Sequence, residues 1–416
     1  MLRVERYFNP NVEASYIIFK DSSGRVCARN GTTGVIDFCD DDISNVLSAI
    51  FSKIGGGRIF IRSGYYTTKN TIVIPSYFTL EGEARPAVVI DGYGNPAIKI
   101  PENAEYVKLK NLWIGRFRGQ IASGSVGIWI GEGRTHIVSL KDITVSFYNT
   151  AVYIENQWGN MLTIRNLTVH NSYEGIRIGN ANHVHVENYH FDEVINGQWE
   201  GRGIVFGPLP GRPGGQVQLV SFKRSHVFCA RRAVEWEANV GGARVDFENF
   251  EFEDQAEYVI SFLAEQYMSV FLSIKNSWIL TGAKNTLQYI VYIDPSITQN
   301  IGFMSLRDVT INGPSTLKFT NVPEYWKLLI YYEPDSGRQY VNVGYTRNKG
   351  VATITAGTTR VTVNHGLIFA PNKVFLTPLG QPPGKLWVEN ITSTSFDIVT
   401  DTAPTVNLNV SWYAEV

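Results

Sequence analysis

The hydrophobic and polar residues of this chain follow one pattern eight times between residues 107 and 312. In each copy, apolar residues alternate with polar ones on both sides of a central residue, which we call the bend residue. Self-similarity at spacings of 22–36 residues predicts a solenoid, in which each repeat packs on the next. The eight bend residues are Asn111, Asp142, Asn166, Asn188, Arg224, Asn249, Asn276 and Asp308.

The alternation has a period of two, which is the period of β-strands and not of helices. It slips by one position at each bend residue, as in Leu109, Leu112 and Ile114, which predicts two strands meeting at a sharp bend. Asn and Asp tolerate the left-handed backbone that such a bend needs, and stacked Asn side chains can hydrogen-bond along the axis. With the glycine-rich returns 127–131 and 175–179, the pattern indicates an all-β fold, a parallel β-helix. A propeller or sandwich expects hairpin turns about every 8–12 residues, and these are mostly absent.

A short amphipathic helix is predicted just before the repeats. Apolar residues recur at helical spacing from Ile43 to Phe51, and the aspartates 40–42 offer an N-cap. Because the end of a solenoid exposes unpaired strands and apolar core, we expect this helix to cap it.

Composition narrows the classes of function. The 416 residues include 21 Tyr, 22 Phe and 9 Trp, and the net charge is −1. Without a basic face, nucleic acid is not an expected partner. No run of 18 apolar residues is present, so membrane insertion is not expected, and the first eight residues lack the apolar segment of a signal peptide. A β-helix that works outside the cell without an export signal is expected to leave it in a virus particle.

The three cysteines, Cys27, Cys39 and Cys229, form no metal-ligand pattern. No metal site and no cofactor are predicted, apart from Ca²⁺ if the protein is a lyase. Cys27 and Cys39 are close enough in sequence to form a disulfide, but we expect free or buried thiols instead.

Residues 35–100 resemble the beginning of the pectate-lyase-like superfamily, and especially of the viral tailspikes within it. After the helix, the motifs follow in the order GGG (55–57), IFI (59–61), SGYY (63–66), TIVIPS (71–76) and FTLEGE (78–83). The resemblance implies a right-handed, single-stranded parallel β-helix with an N-terminal capping helix. It implies little about chemistry, because the superfamily contains lyases, hydrolases and inert spikes.

Six alternating strands between residues 351 and 416 predict a small C-terminal β-sandwich. It resembles C-terminal modules of phage and archaeal-virus fibre proteins, which implies trimerisation or binding of a receptor glycan. The motifs that carry the resemblance are TVNHGL (362–367), Trp387, SFDI (395–398) and SWYA (411–414). We expect His365, Trp387 and Trp412 to lie in the core or a trimer interface rather than on a glycan.

The chain therefore divides into an N-terminal arm (1–34) that attaches to other virion proteins, a β-helix (35–320), a neck (321–350) and the sandwich (351–416). Within the β-helix, the Gly- and Pro-rich residues 195–216 interrupt the strands. This insertion either borders a binding groove or is a tolerated surface loop.

Stacking the repeats aligns their outward-facing side chains in two columns, because the rungs of a β-helix lie about 4.8 Å apart. The first column lies two positions after the bend residues: Trp113, Thr144, Thr168, His190, His226, Glu251, Trp278 and Thr310. The second lies four positions after them: Gly115, Ser146, His170, Asp192, Phe228, Glu253, Leu280 and Asn312. The outward residues that precede the bend, from Lys110 to Arg307, have mixed charge and are expected to be a solvated face.

Aromatic rings that stack on sugars, together with a pair of carboxylates, are what carbohydrate chemistry uses. The candidate catalytic residues are Asp192, Glu251 and Glu253, and the candidate substrate-binding residues are Trp113, His170, His190, Trp199, His226 and Trp278. The backbone spacings, about 6.6 Å for Glu251–Glu253 and about 10 Å for Asp192–Glu253, favour an inverting over a retaining mechanism. A lyase would use an Arg or Lys base, but Arg177, Arg202 and Arg231 form no recognisable set. The alternative is a polar, solvated side of the solenoid with no function.

These observations predict a homotrimeric, tailspike-like protein of the virion surface that attaches to host-surface polysaccharide. A first alternative is a depolymerase of that glycan, a glycoside hydrolase rather than a lyase. A second is a secreted cellular enzyme of the pectate-lyase-like type, which would work outside the cell. A third is a purely structural spike that retains no glycan.

Overall fold

The computed structural model describes residues 14–117, 120–131, 133, 135–156, 161–192, 199–237, 240–264, 270–280, 287, 289–299, 301–312, 317–321, 328–333, 347–367 and 370–415. The described part of the chain begins with three strands and one helix: β1 (Tyr16–Lys20), β2 (Val26–Asn30), β3 (Ile36–Asp40) and α1 (Ile43–Lys53). The body follows as β4 (Gly57–Ile61), β5 (Gly64–Thr68), β6 (Ile72–Val73), β7 (Phe78–Gly82), β8 (Val88–Gly92), β9 (Ile98–Ile100), β10 (Lys108–Gly115), β11 (Val126–Ile130), β12 (Val138–Ser146), β13 (Thr150–Asn156), β14 (Leu162–His170), β15 (Glu174–Asp192), β16 (Arg202–Phe206), β17 (Gly215–Phe228), β18 (Arg232–Trp236), β19 (Val240–Gly241), β20 (Arg244–Glu253), β21 (Tyr258–Phe262), β22 (Val270–Leu280), β23 (Tyr289–Ile293), β24 (Gly302–Asn312), β25 (Lys318–Thr320) and β26 (Leu328–Glu333).

These strands form a right-handed parallel β-helix, as predicted. Each long strand is divided by its bend residue into a pre-bend and a post-bend half, and each half pairs in parallel with its counterpart in the next rung. A third ladder, which we call the return sheet, runs through β6, β9, β11, β13, the first half of β15, β16, β18, β21, β23 and β25. The three sheets enclose one apolar core.

All eight bend residues have a positive φ, between 48° and 56°. The bend therefore needs residues that tolerate the left-handed region, and Asn or Asp occupies seven of its eight positions. The predicted ladder of side chains is present over three rungs: Asn188 donates to Asn166 at 2.9 Å, and Asn166 donates to Asp142 at 2.6 Å. The ladder ends at Arg224, which has no amide with which to continue it.

The core is built from stacked columns of like side chains. On the return sheet, the ring of Trp236 stacks on Phe206 at 4.5 Å and on Phe262 at 4.8 Å between ring centroids. On the pre-bend sheet, Phe222 stacks on Phe247 at 5.2 Å. Because the register aligns equivalent residues of each rung, apolar side chains pack against apolar side chains of the neighbouring rungs and exclude water from the core of the β-helix.

Helix α1 caps the first rung, as predicted. Asp42 is the N-cap and accepts from the backbone of Ser44 at 2.8 Å, while its second carboxylate oxygen accepts from the backbone of Lys69. Ile43, Val46, Leu47 and Ile50 are fully buried against the first strands.

The N-terminal strands are continuous with the body rather than a separate arm. Strand β1 pairs in parallel with β4, and β2 pairs with β3 across the predicted boundary at residue 34. The expectation of free thiols is wrong: Cys27 and Cys39 face each other in that register and form a disulfide. The rest of the predicted attachment arm, residues 1–13, lies outside the described residues.

The β-helix also continues further than predicted, because β26 pairs with β24 as one more rung beyond residue 320. Most of the predicted neck lies outside the described residues. The next described strand is the first of the C-terminal domain. The described strands of this domain are β27 (Arg347–Ile354), β28 (Arg360–Asn364), β29 (Lys373–Pro378), β30 (Leu386–Glu389), β31 (Ser395–Thr400) and β32 (Leu408–Glu415).

This domain is the predicted sandwich, with three antiparallel strands in each sheet, β27-β32-β29 and β28-β31-β30. His365 is fully buried, stacks on Phe396, and accepts from the backbone of Leu367 at 3.0 Å. Trp412 packs edge-on against the same Phe396. Both therefore lie in the core, whereas Trp387 is 37% exposed and donates to Glu389.

Candidate functional site

The two predicted columns are present on the outward side of the post-bend sheet, which we call the post-bend face. Parallel pairing places Thr168 opposite His190, His190 opposite His226, and His226 opposite Glu251. Trp278 follows Glu251 in the next rung. The second column runs beside the first through His170, Asp192, Phe228, Glu253 and Leu280. Stacking the repeats therefore predicted the neighbours of each side chain correctly.

Three half-buried histidines are adjacent on this face. The ring of His190 lies 6.1 Å from that of His170 and 5.3 Å from that of His226, measured between centroids. Burial lowers the pKa of His170, with Arg85 adding to the effect and Asp192 opposing it. Burial and the neighbouring His226 lower the pKa of His190, again against the attraction of Asp192. The rings of His170 and His190 are therefore neutral at neutral pH and can both donate and accept hydrogen bonds.

The candidate carboxylates Glu251 and Glu253 project from one side of β20, next to His226. Nε2 of His226 lies 3.1 Å from Oε2 of Glu253. One oxygen from each carboxylate and a nitrogen of His226 all lie within 4.8 Å of one another. This separation is shorter than the roughly 6.5–9.5 Å that an inverting glycosidase needs for its water molecule. The two side chains therefore converge more closely than their backbone spacing of about 6.6 Å suggests.

The candidate tryptophans differ in accessibility. Trp278 is 48% exposed on the post-bend face. Trp113 packs edge-on against Phe117 at 5.1 Å between centroids, and its indole N–H donates to Ser146 at 3.1 Å. Trp113 thus belongs to an aromatic cluster with Phe117 and Phe147, while Trp278 presents an open ring.

Trp199 lies elsewhere, in a cleft of about 820 Å³ beside the beginning of the return strands. The cleft is lined by Asn149, Tyr173, Glu174, Trp199, Glu200, Arg202, Arg231, Arg232, Ala256 and Glu257. The part of the 195–216 insertion that contains Trp199 and Glu200 therefore borders a cleft, which lies apart from the post-bend face that carries the other candidates. Residues 195–198 of the insertion lie outside the described residues.

Arginines and glutamates form an ion-pair network on the return sheet, and Arg177, Arg202 and Arg231 all belong to it. Arg177 is almost fully buried and bonds to Glu174 at 2.6 Å and to Glu237 at 2.7 Å. Arg202 contacts both of these carboxylates and also Glu235. The network continues through Arg232 to Glu235 and Glu257, and through Arg231 to Glu257.

The network also explains how the insertion is held. Arg177 donates to the carbonyl oxygens of Gly207 and Pro208, so it links the inserted loop to the sheet. Burial opposes ionisation of Glu174, but hydrogen bonds and the charges of Arg177 and Arg202 outweigh it and lower the pKa of Glu174. Register pairs Glu174 with Arg202 and Arg202 with Arg232. The sequence signal for this column is the alignment of the return strands, which repeat in the same register as the bend strands.

Comparison with known proteins finds similar structures but no similar sequence or family. No protein-family model matches the sequence, and no curated protein sequence does either. The chain is similar in structure to the Pseudomonas phage phi297 tailspike, with 13% identity over 87% of this chain and 67% of that one, and a TM-score of 0.41. It is also similar to gene product 12 of bacteriophage phi29, with 12% identity over 67% of this chain and 44% of that one, and a TM-score of 0.46. A third similar structure is the A-module of the Azotobacter vinelandii mannuronan C-5 epimerase AlgE4. The sequence identity is 13% over 67% of this chain and 92% of that one, and the TM-score is 0.39.

Proposed function

We propose that this protein attaches to a host-surface polysaccharide along its post-bend face. The observation that carries the proposal is the exposed ring of Trp278, which follows Glu251 and His226 in consecutive rungs. An exposed indole can cover the apolar face of a sugar ring, while neighbouring imidazoles and carboxylates accept or donate hydrogen bonds to its hydroxyl groups.

The shape of the face fits an extended chain better than a single small molecule. The five rungs from His170 to Trp278 span about 19 Å at the spacing of paired strands. Their strands are held by uninterrupted parallel pairing, so the face is organised before the ligand arrives and little entropy is lost on binding.

Retention of the labelled chain on an array of host-surface polysaccharides tests the proposal. Binding to at least one polysaccharide is expected. A purely structural spike would be retained by none, and that result would contradict the proposal.

The same proposal places the protein on a virion, as the resemblance of residues 35–100 to tailspikes implies, and makes it a homotrimer. One outer face of the sandwich supports self-association: Phe375 is 61% exposed and Val351 59%, and both lie on the side of the sheet away from its core. The ring of Tyr413 lies beside Phe375 at 6.2 Å between centroids. Exposed apolar side chains grouped in this way are typical of a protein interface.

Light scattering at micromolar concentration is expected to give three times the chain mass of 46.6 kDa. The Phe375→Ser variant should shift the mass toward the monomer, because it removes the largest apolar side chain of this face. Val406, which is 73% exposed in a loop of the same domain, offers Val406→Ser as a matched control that should remain trimeric. A monomeric wild-type chain would refute the trimer without touching the proposal on glycan binding.

A second candidate function is hydrolysis of the bound glycan, which the proximity of Glu251 and Glu253 favours. A carboxylate pair at short separation is typical of retaining glycosidases, whose groups lie about 5–5.5 Å apart. His226, 3.1 Å from Glu253, would orient one member of the pair. Asp192 is the third candidate carboxylate, one rung from His170 and two from Glu253.

This candidate predicts release of reducing-end oligosaccharides from the polysaccharide that the array identifies. Glu251→Gln and Glu253→Gln should each abolish release, since an amide can act neither as nucleophile nor as general acid. The control Glu248→Gln alters a carboxylate of the same strand on the pre-bend side and should retain activity. Binding without release from the wild type would leave attachment as the function and exclude hydrolysis.

A further inference from the structure

His226, Glu251 and Glu253 converge on one point of the post-bend face. His226 comes from β17, and the two glutamates come from the next rung, β20, where they are two residues apart and on the same side of the strand. Register places His226 opposite Glu251. One nitrogen and one oxygen from each carboxylate lie within 4.8 Å of one another, and the His226–Glu253 pair is already at 3.1 Å.

Among the described residues, no arginine or lysine balances the charge at this point. Elsewhere on the β-helix, neighbouring carboxylates have such partners: Arg177 and Arg202 for Glu174, Arg165 for Glu187, and Lys223 for Glu248. Within the part of the chain that the structure describes, neither Glu251 nor Glu253 forms an ion pair with Lys or Arg, and the one basic partner is His226. Two half-buried carboxylates this close repel each other, and a divalent cation between them would remove that repulsion.

We propose that His226, Glu251 and Glu253 form a binding site for a divalent transition metal of the Zn²⁺ type. An imidazole nitrogen with two carboxylate oxygens is a set that Zn²⁺ accepts, whereas Ca²⁺ takes six to eight oxygens and seldom nitrogen. Three protein ligands leave the fourth position of a tetrahedral ion open to water or to a ligand hydroxyl. The proposal does not depend on glycan binding, because it rests on the ligand set alone. It is an alternative to the hydrolytic role of Glu251 and Glu253, since a carboxylate bound to a metal ion is not free to act as nucleophile or acid.

The geometry needs only side-chain adjustment. Ligands about 2.0–2.1 Å from a tetrahedral zinc ion are about 3.3 Å from one another. His226 and Glu253 already have this separation, so Glu251 is the group that has to close, by rotation about its own side-chain bonds. A second group of three potential ligands, Asp21, Cys27 and Cys39, is unsuited because its two sulfurs form the disulfide.

Titration calorimetry of the chelator-treated full chain with ZnCl₂ tests the site. One Zn²⁺ per chain is expected, with CaCl₂ giving no comparable heat. His226→Asn and Glu253→Gln should each weaken Zn²⁺ binding by about 100-fold. Loss of a group that only supports a metal ligand already lowers metal affinity by about 10- to 100-fold, and these residues are proposed as the ligands themselves. Matched controls are His185→Asn, in the rung before His226 on the pre-bend side, and Glu248→Gln, and both should bind Zn²⁺ like the wild type.

The visible spectrum of the Co²⁺-loaded wild type provides a readout that does not depend on any variant folding. Intense ligand-field bands, displaced by one equivalent of Zn²⁺, are expected for a low-coordinate site with a nitrogen ligand. Absence of Zn²⁺ uptake, equal affinity for Ca²⁺, or uptake that survives both His226→Asn and Glu253→Gln would overturn the proposal. Because no glycan is present, these outcomes are independent of the array experiment.

Discussion

Replacing Trp278 with alanine should weaken binding of the host polysaccharide by about 2 kcal/mol, which is about 30-fold in Kd. Its indole is the open aromatic surface on the post-bend face, so its removal deletes the stacking platform while leaving the polar groups of Glu251 and His226 in place. The measurement is the Kd from titration calorimetry with the polysaccharide that the array identifies.

Phe271 provides the matched control for this variant. It lies on the same strand, β22, and is 56% exposed, but it precedes the bend residue Asn276 and therefore projects from the pre-bend side. Phe271→Ala should leave Kd unchanged. If Phe271→Ala and Trp278→Ala weaken binding equally, or if neither does, the glycan does not lie on the post-bend face.

Replacing Arg177 with methionine should lower the free energy of unfolding by about 3 kcal/mol or more, because it leaves buried carboxylates without their cation. Arg177 bonds to Glu174 and Glu237 and holds the loop at Gly207 and Pro208. Methionine preserves most of the packed volume, so the effect reports the lost charge and hydrogen bonds. Urea denaturation followed by circular dichroism gives the measurement.

Two further variants test whether the loss of stability comes from the buried carboxylates that Arg177 leaves unpaired, and not from the removal of any arginine. Arg165→Met removes an arginine that is 56% exposed and paired with Glu187, and should cost less than about 1 kcal/mol. Adding Glu174→Gln to Arg177→Met should restore part of the loss, because it neutralises a carboxylate that the first substitution left unpaired. A cost for Arg177→Met no larger than that for Arg165→Met would show that the network does not stabilise the fold.

The pH dependence of this difference follows from the lowered pKa of Glu174. A carboxylate whose pKa is lower in the folded chain than in the unfolded one stabilises the fold above the unfolded value. That contribution is lost as the pH falls through the folded value. The wild type and Arg177→Met should therefore differ most at neutral pH. The difference should begin to shrink near the unfolded pKa of a Glu side chain, about 4.3, and should vanish only below the lower folded pKa.

How much could be predicted from the sequence depends on whether a residue's neighbours follow from the repeat. The bend residues and the two outward columns could be predicted, because parallel pairing in a solenoid puts equivalent positions side by side. The helix α1 and the six described strands of the sandwich could be predicted as well, since each follows from the local period of its apolar residues. The Arg and Glu column of the return sheet follows from the same alignment, applied to the return strands instead of the bend strands.

Side-chain directions and the packing of loops could not be obtained in this way. Backbone spacing puts Glu251 and Glu253 about 6.6 Å apart, but their side chains turn toward each other and toward His226. Trp113 is equivalent to Trp278 in the repeat, yet Phe117, from the loop after β10, covers one and not the other. Cys27 and Cys39 pair because β2 and β3 are neighbours outside the repeat.

The sequence by itself therefore determined the β-helix, its register and the order of side chains along the post-bend face, because a period-two alternation with a recurring left-handed residue admits one stacking. Only the tertiary structure decided which of those side chains converge, which are covered, and where the insertion meets the body. Those outcomes depend on side-chain rotamers and on contacts between residues far apart in the chain, and a repeat pattern contains no information on either.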